Sequence, residues 1–173
     1  MNEQMLMDTA SEMVSKGKGI LAADESTPTI GKRLEQIGLE STYEIRNEYR
    51  DMLLTADEME KNISGVIMYD ETLRQSTTCN QNTPFSKLLS DKGVLPGIKV
   101  DTGAKDLSGA YGEKITEGLD GLRDRLKEYY SLGARFAKWR SVIQIEIGED
   151  IISHEQSKFF IENDNINLQF YEG

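Results

Sequence analysis

The sequence GILAAD at positions 19–24 is a short apolar run that starts at a glycine and ends at the carboxylate of Asp24. Three later stretches have the same form: GVIMY at 65–69, GIKVD at 97–101 and RFAKWRSVIQI at 135–145. Each is bounded by glycine or by charge and is mostly apolar on both faces. Parallel strands that are covered by helices have this character. We therefore predict four buried strands.

Amphipathic segments alternate with these strands. The motif STYE at 41–44 has the form of a capping box, in which a hydroxyl and a carboxylate each bind a free backbone N–H of the first helical turn. Pro84 is placed to open a short helix through Leu89, and Gly133 is placed to end a later one. The apolar positions of the other predicted helices follow helical spacing: Met5, Thr9 and Met13; Ile45, Tyr49, Met52 and Leu53; and Leu119, Leu122, Leu126 and Tyr129.

Strand and helix alternate four times along the chain, which predicts an α/β fold with right-handed crossovers and a parallel sheet. Two architectures share this pattern: an open doubly wound sheet and part of a (β/α)8 barrel. The pattern alone does not choose between them. A complete eight-stranded barrel takes about 250 residues. The 173 residues of this chain are therefore too few for a complete barrel, and the four predicted strands are half of the eight that it needs.

The composition excludes several classes of function. A net charge of -10 and a pI of about 4.7 oppose binding to a phosphodiester backbone, so we expect no nucleic-acid partner. No stretch approaches the roughly 18 consecutive apolar residues that span a membrane, and residues 1–15 lack the apolar core of a signal peptide. The single cysteine, Cys79, forms no intrachain disulfide, which predicts a reduced, cytoplasmic protein. Cys79 and the lone His154 lack the spacing of a metal site.

Four charged residues lie within or at the ends of the predicted strands: Asp24, Lys99, Lys138 and Arg140. Lys138 and Arg140 are two apart, so strand alternation predicts that both point to one face. A single charge at a strand end is more often a solvated rim residue, whereas several that converge favour a site. A lysine among other cations exchanges protons near neutrality, and an aspartate accepts a proton from a substrate hydroxyl. The pattern predicts proton transfer on a small phosphorylated molecule.

At these same residues the sequence resembles the class I fructose-bisphosphate aldolase family. The resemblance runs from about Met13 to Ile145 and weakens over residues 146–173. The segments that carry it occur in the family's order: GKGILAADEST at 17–27, KRL at 32–34, LLTA at 53–56, GVI at 65–67, ETL at 71–73, GIKVD at 97–101, EGLDGL at 117–122 and FAKWR at 136–140.

The resemblance implies that residues 1–173 are a single domain containing about the first four units of a (β/α)8 TIM barrel. It implies reversible cleavage of fructose 1,6-bisphosphate to dihydroxyacetone phosphate and glyceraldehyde 3-phosphate in glycolysis. The family uses no metal or other cofactor, because the imine between a lysine and the substrate ketone takes up the electrons of the cleaved bond. A phosphorylated sugar is the expected partner.

The same resemblance implies the roles of individual residues. Asp24 matches the acid/base aspartate that acts on the hydroxyl beside the cleaved bond. Lys138 matches a second lysine that assists proton transfer while the imine forms. Four residues match substrate-binding positions: Lys99 and Arg140 near the substrate and its phosphate, and Ser26 and Arg33 in a substrate-binding loop.

The family's imine-forming lysine lies downstream of the residues matched here, and neither Lys158 nor another lysine of this chain is in a segment like it. We therefore expect a chain that stops before that lysine. The alternative is a catalytically inactive fragment, or a half-barrel that associates with a second copy or with a complementing subunit. A third interpretation is an open doubly wound sheet that only binds sugar phosphates.

Overall fold

The structure, a computed structural model, describes residues 3–78, 82–110 and 112–142. Cys79, His154, Lys158 and the weakly matching segment 146–173 lie outside the described residues. The chain divides into two compact units. The first is Met1–Lys99 with Gly121–Lys138, and the second is Val100–Asp120 with Trp139–Gly173. Each unit is described by itself.

The strands are numbered along the chain. Those in the described residues are β1 (Gly19–Ala23), β2 (Ile63–Met68), β3 (Leu95–Lys99), β4 (Gly103–Asp106), β5 (Lys114–Glu117) and β6 (Phe136–Lys138). The helices described are α1 (Glu3–Met13), α2 (Thr27–Gln36), α3 (Tyr43–Leu54), α4 (Asp70–Leu73), α5 (Phe85–Asp91) and α6 (Leu122–Ser131), with a 3₁₀ turn at Met59–Lys61. No described helix is both long enough and apolar enough to cross a membrane.

The first unit contains a parallel sheet in the order β1-β2-β3-β6. Its strands follow one another in chain order, with no point at which the order reverses. A doubly wound sheet has such a reversal, and a barrel does not. The strand order therefore favours part of a barrel over the open sheet.

One face of this sheet is covered by helices. Val66 and Met68 on β2 and Ile98 on β3 are fully buried there. Helix α1 contacts β2, and α4 and α5 contact β3. Because side chains alternate between faces, the neighbouring residues Ile67 and Lys99 point to the opposite face. The core thus lies between the sheet and the helices. The opposite face of the sheet carries the charged side chain of Lys99.

The first three predicted strands are confirmed as strands, and β2 and β3 are mostly buried, whereas in β1 only Ala23 is buried. The fourth is much shorter than predicted. It was expected over residues 135–145, but β6 pairs with β3 only from Phe136 to Lys138. The ladder stops there because β3 itself ends at Lys99. Residues 143–145 of the predicted strand lie outside the described part of the chain.

Helix α3 is capped one residue later than predicted. Thr42, not Ser41, is the N-cap, and its hydroxyl accepts a hydrogen bond from the Ile45 backbone N–H at 3.2 Å. The Ser41 hydroxyl and carbonyl instead accept from the Arg46 guanidinium. The first turn is therefore stabilised by a side-chain cap without the reciprocal glutamate of a capping box.

The apolar positions by which α3 was predicted do not form its most buried face. Met52 is 67 % exposed, whereas Arg46, Arg50, Asp51 and Leu54 are buried. The two arginines lie inward because the carboxylate of Glu71 binds both guanidinium groups. Paired charges of this kind are the exception to the rule that charged side chains stay at the surface.

Helix α6 begins at Leu122, so Leu119 is not part of it. Its end is as predicted. Gly133 has φ +106, and the N–H groups of Gly133 and Ala134 bind the carbonyls of Tyr130 and Tyr129 at 3.1 and 2.9 Å. This is the paired arrangement of a glycine-terminated helix.

The second unit contains an element that sequence patterning missed. β4 and β5 form an antiparallel hairpin, in register from Gly103 opposite Glu117 to Asp106 opposite Lys114. The side chains of Lys114 and Asp106 form an ion pair across it. Half of its strand residues are exposed and four of the eight are charged, so the hairpin lacks the apolar run by which the other strands were predicted.

Candidate active site

Asp24 and Lys138 meet at the carboxyl ends of two strands. Asp24 directly follows β1, and Lys138 is the last residue of β6. Lys138 Nζ donates a hydrogen bond to Asp24 Oδ2 at 2.8 Å. The Lys138 side chain is 30 % exposed and that of Asp24 is 16 % exposed, so the pair is partly withdrawn from water but open on one side.

This contact requires a curved sheet. β1 and β6 are the two outer strands of the four-stranded sheet, separated by three inter-strand spacings or roughly 14 Å. In a flat sheet their side chains stand parallel to one another and do not meet. The 2.8 Å hydrogen bond therefore shows that the sheet bends toward the face that carries both residues.

Lys99 lies on the same face. It is the last residue of β3, and its Cα is the register partner of the Cα of Lys138. Neighbouring strands are about 4.8 Å apart, so the two lysines start from adjacent backbone positions. Two ammonium groups and one carboxylate at one end of the sheet leave a net positive charge, which favours an anionic ligand. The structure therefore places Asp24, Lys99 and Lys138 at one end of the sheet, as their positions at the strand ends predicted.

Arg33 lies in helix α2, and Ser26 directly precedes that helix. Ser26 is the N-cap residue, and its hydroxyl lies 3.1 Å from that of Thr29. Arg33 is in the last turn of α2, and its guanidinium forms an ion pair with Glu25. The attraction of Glu25 raises the pKa of Arg33 above its ordinary value. Sequence reasoning missed Glu25, although its position directly after Asp24 is a signal for it.

Arg140 does not share a strand face with Lys138. That prediction is wrong, because β6 ends at Lys138 and Arg140 lies two residues beyond it, in the second unit. Its side chain is exposed. Strand alternation therefore does not apply to it.

The converging side chains are suited to acid–base chemistry. The Asp24 carboxylate accepts a proton, the Lys138 ammonium donates one, and the 2.8 Å contact allows exchange between them. Within residues 3–78, 82–110 and 112–142, no three His, Cys, Asp or Glu side chains are grouped to hold a metal ion.

A curved parallel sheet with its helices on one face, and charged side chains at the carboxyl ends of its strands, is the architecture of the (β/α) barrel class. The chain belongs to the family described as glycolytic fructose-bisphosphate aldolase class I, whose model matches residues 5–166. The fold prediction of a partial TIM barrel is thereby confirmed.

Individual relatives agree with this membership. The chain is 56 % identical over 153 residues to "Probable fructose-bisphosphate aldolase class 1" of Xanthomonas campestris, covering 88 % of this chain and 45 % of that protein. It is 53 % identical over 141 residues to "Fructose-bisphosphate aldolase C" of Carassius auratus, covering 81 % of this chain and 38 % of the relative. The chain spans about half the length of the curated relatives it matches.

A solved structure is similar as well. It is fructose-bisphosphate aldolase from Plasmodium falciparum, in complex with TRAP and a small-molecule inhibitor. The TM-score is 0.78 at 50 % identity, over 83 % of this chain and 41 % of that one.

Proposed function

We propose that the protein acts in the class I fructose-bisphosphate aldolase reaction, the reversible cleavage of fructose 1,6-bisphosphate to dihydroxyacetone phosphate and glyceraldehyde 3-phosphate. The observation that carries the proposal is the hydrogen bond between Lys138 and Asp24, formed by residues 114 positions apart across the whole sheet. Family membership supports the same reaction.

The proposed chemistry assigns a separate step to each of the paired groups. The Asp24 carboxylate takes the proton of the hydroxyl beside the bond that breaks, and the bonding electrons pass to the iminium formed between a lysine and the substrate ketone. The Lys138 ammonium donates its hydrogen bond to Asp24 and supplies a proton while that iminium forms. The 2.8 Å contact supports both roles because it places the two exchangeable groups in direct reach.

The proposed substrate-binding residues provide hydrogen-bond donors for phosphate. Lys99 adds a second ammonium beside Lys138. Ser26 is the N-cap residue of α2, and Arg33 lies in the last turn of that helix. A phosphate that binds Arg33 competes with Glu25 for the guanidinium. Arg140 is retained as a phosphate-binding residue on the basis of its match to the family motif.

We place this activity in the cytoplasm, with a phosphorylated sugar as the ligand and without a nucleic-acid or membrane partner. The low pI and the single cysteine support this. The family description as glycolytic supports it as well.

A second candidate is a non-catalytic half-barrel that binds the sugar phosphate together with a second copy or a complementing subunit. Two observations favour it. The relatives are about twice as long as the region matched. In the described sheet, β1 and β6 each have one hydrogen-bonded neighbour, and an unpaired strand edge readily takes another strand.

The test is cleavage of fructose 1,6-bisphosphate in the presence of EDTA by a form of the protein that extends through the family's imine-forming lysine, combined with borohydride reduction in dihydroxyacetone phosphate. We expect metal-independent cleavage and a triose phosphate adduct on a lysine, located by mass spectrometry. Saturable substrate binding without cleavage or adduct would establish the second candidate instead. A chain that neither binds nor cleaves would contradict both.

A further inference from the structure

The aromatic ring of Phe136 lies directly against the backbone of β3 and reaches β2. A Cβ atom added to Gly97 would lie within 2.6 Å of three ring atoms of Phe136, which is closer than any side chain tolerates. A Cβ on Gly65 would lie 3.0 and 3.3 Å from two atoms of the same ring. Neither glycine has a positive φ, so each is required for the space it leaves and not for its backbone conformation.

This contact lies one step along the strands from the candidate site. Gly97 pairs with Phe136, and Lys99 pairs with Lys138, as successive pairs on the same face of the sheet. The ring and the two glycines therefore form a floor next to the two lysines. We define the aromatic floor as Phe136, Gly97 and Gly65.

The aromatic floor lies two residues back along the strands from the residues that must meet. Lys138 is on β6 and Asp24 follows β1, so their side chains reach toward each other across the face of β2 and β3 on which the ring of Phe136 is seated. Because both contacts are with glycines, no side chain lies between the ring and the backbone of the two middle strands. The distance of the ring from the sheet is therefore set by the backbone of β2 and β3.

We propose that Phe136 is a positioning residue, whose ring, seated on Gly97 and Gly65, sets the distance at which Lys138 reaches Asp24. The catalytic importance of that pair rests on the proposed function, but the geometric effect does not. Phe136 acts through Lys138. The proposal therefore predicts that a methyl group on Gly97 is harmful only while the full ring is present.

The test measures the Asp24–Lys138 contact without substrate. A water-soluble carbodiimide activates carboxylates, and an ammonium in contact then forms an amide with loss of one water. The yield of the Asp24–Lys138 cross-linked peptide is measured by mass spectrometry in the full chain. We expect Gly97→Ala to lower this yield by about fivefold or more, since overpacking by one methyl displaces the ring. Ala137→Ser, on the opposite face of β6, is the matched control and should keep the wild-type yield.

Rescue separates positioning from general damage. The double variant Gly97→Ala with Phe136→Leu leaves room for the added methyl, and we expect it to recover most of the yield. Phe136→Met keeps an apolar side chain of similar length without the flat ring, and is expected to lower the yield while circular dichroism shows a folded chain. Wild-type yield in Gly97→Ala and Phe136→Met, or no recovery in the double variant, would overturn the proposal. The cleavage assay is independent, so failure of one proposal is distinguishable from failure of the other.

Discussion

Replacing Glu71 with alanine is expected to lower the free energy of unfolding by about 3 kcal/mol, the lower end of the range for breaking a buried ion pair. Glu71 joins α3 to the segment after β2. Its carboxylate accepts hydrogen bonds from Arg46 Nε and Nη2 at 2.9 and 2.7 Å, and it also binds Arg50 Nη1. The change leaves both guanidinium groups buried without their shared counter-charge.

The burial of the three side chains sets this magnitude. Arg50 is only 4 % exposed and Arg46 10 %, so water does not replace the lost carboxylate at either guanidinium. Glu71 is 20 % exposed, which is why we place the loss at the lower end of the range. Two other hydrogen-bond acceptors of these arginines, Gln75 Oε1 at 2.8 Å from Arg50 and the Ser41 carbonyl at 2.6 Å from Arg46, are neutral and do not replace the lost charge. Urea-induced unfolding followed by circular dichroism gives the difference.

The stabilisation by Glu71 depends on pH in a defined direction. Hydrogen bonds from Arg46, and then from Arg50, lower the pKa of Glu71 below its ordinary value of 4.5, although burial opposes them. A carboxyl whose pKa is lower in the folded state stabilises the protein above its unfolded pKa and loses that effect as pH falls through the folded value. The difference between wild type and Glu71→Gln should therefore shrink below about pH 4.

Glu48 provides the matched control, since it is an exposed glutamate on α3. Glu48→Ala should change stability by less than about 0.5 kcal/mol, as is usual for a surface substitution. Equal losses from Glu71→Ala and Glu48→Ala would contradict the importance of the buried ion pair.

The second large effect is expected at Asp24. Under the proposed function, Asp24→Asn lowers kcat for cleavage of fructose 1,6-bisphosphate by about 10²- to 10⁴-fold, the usual contribution of a positioned acid–base group. The amide keeps the size of the side chain and its contact with the sheet, but it does not accept the hydroxyl proton. It also removes the negative partner of the Lys138 ammonium.

Steady-state kinetics of the purified variant, with Asp57→Asn as control, measure this effect. Asp57 is exposed and lies outside the strands, so its amide should leave kcat unchanged. The substrate phosphates bind other residues in the proposal, so KM should change much less than kcat. Undiminished cleavage by Asp24→Asn would contradict the assignment of Asp24 as the acid–base group.

Much of the fold follows from local patterns, and the misses have physical causes. β1, β2 and β3 were predictable because buried parallel strands are short and apolar on both faces. The length of β6 was not predictable from its own sequence, because β6 pairs with β3 and stops where β3 ends. The buried face of α3 was missed because paired arginines have the sequence character of solvent-exposed residues, and their partner Glu71 lies 25 and 21 positions away.

The candidate site divides in the same way. Charges at the ends of parallel strands predict convergence, and the structure brings Asp24, Lys99 and Lys138 to one end of the sheet. The closeness of Asp24 and Lys138 depends on sheet curvature, which single-strand patterns do not contain. The ion pair between Glu25 and Arg33 joins residues eight apart through the start of α2, and no periodic pattern connects them.

The cooperation of the three charged side chains is measured most directly by NMR during a titration with fructose 1,6-bisphosphate, observing the Asp24 carboxyl carbon and the Cε carbons of Lys99 and Lys138. We predict that all three signals shift along one saturation curve with one dissociation constant, because one ligand contacts them together. Signals that follow separate curves, or an Asp24 signal unchanged at saturation, would show that these strand ends do not form one site.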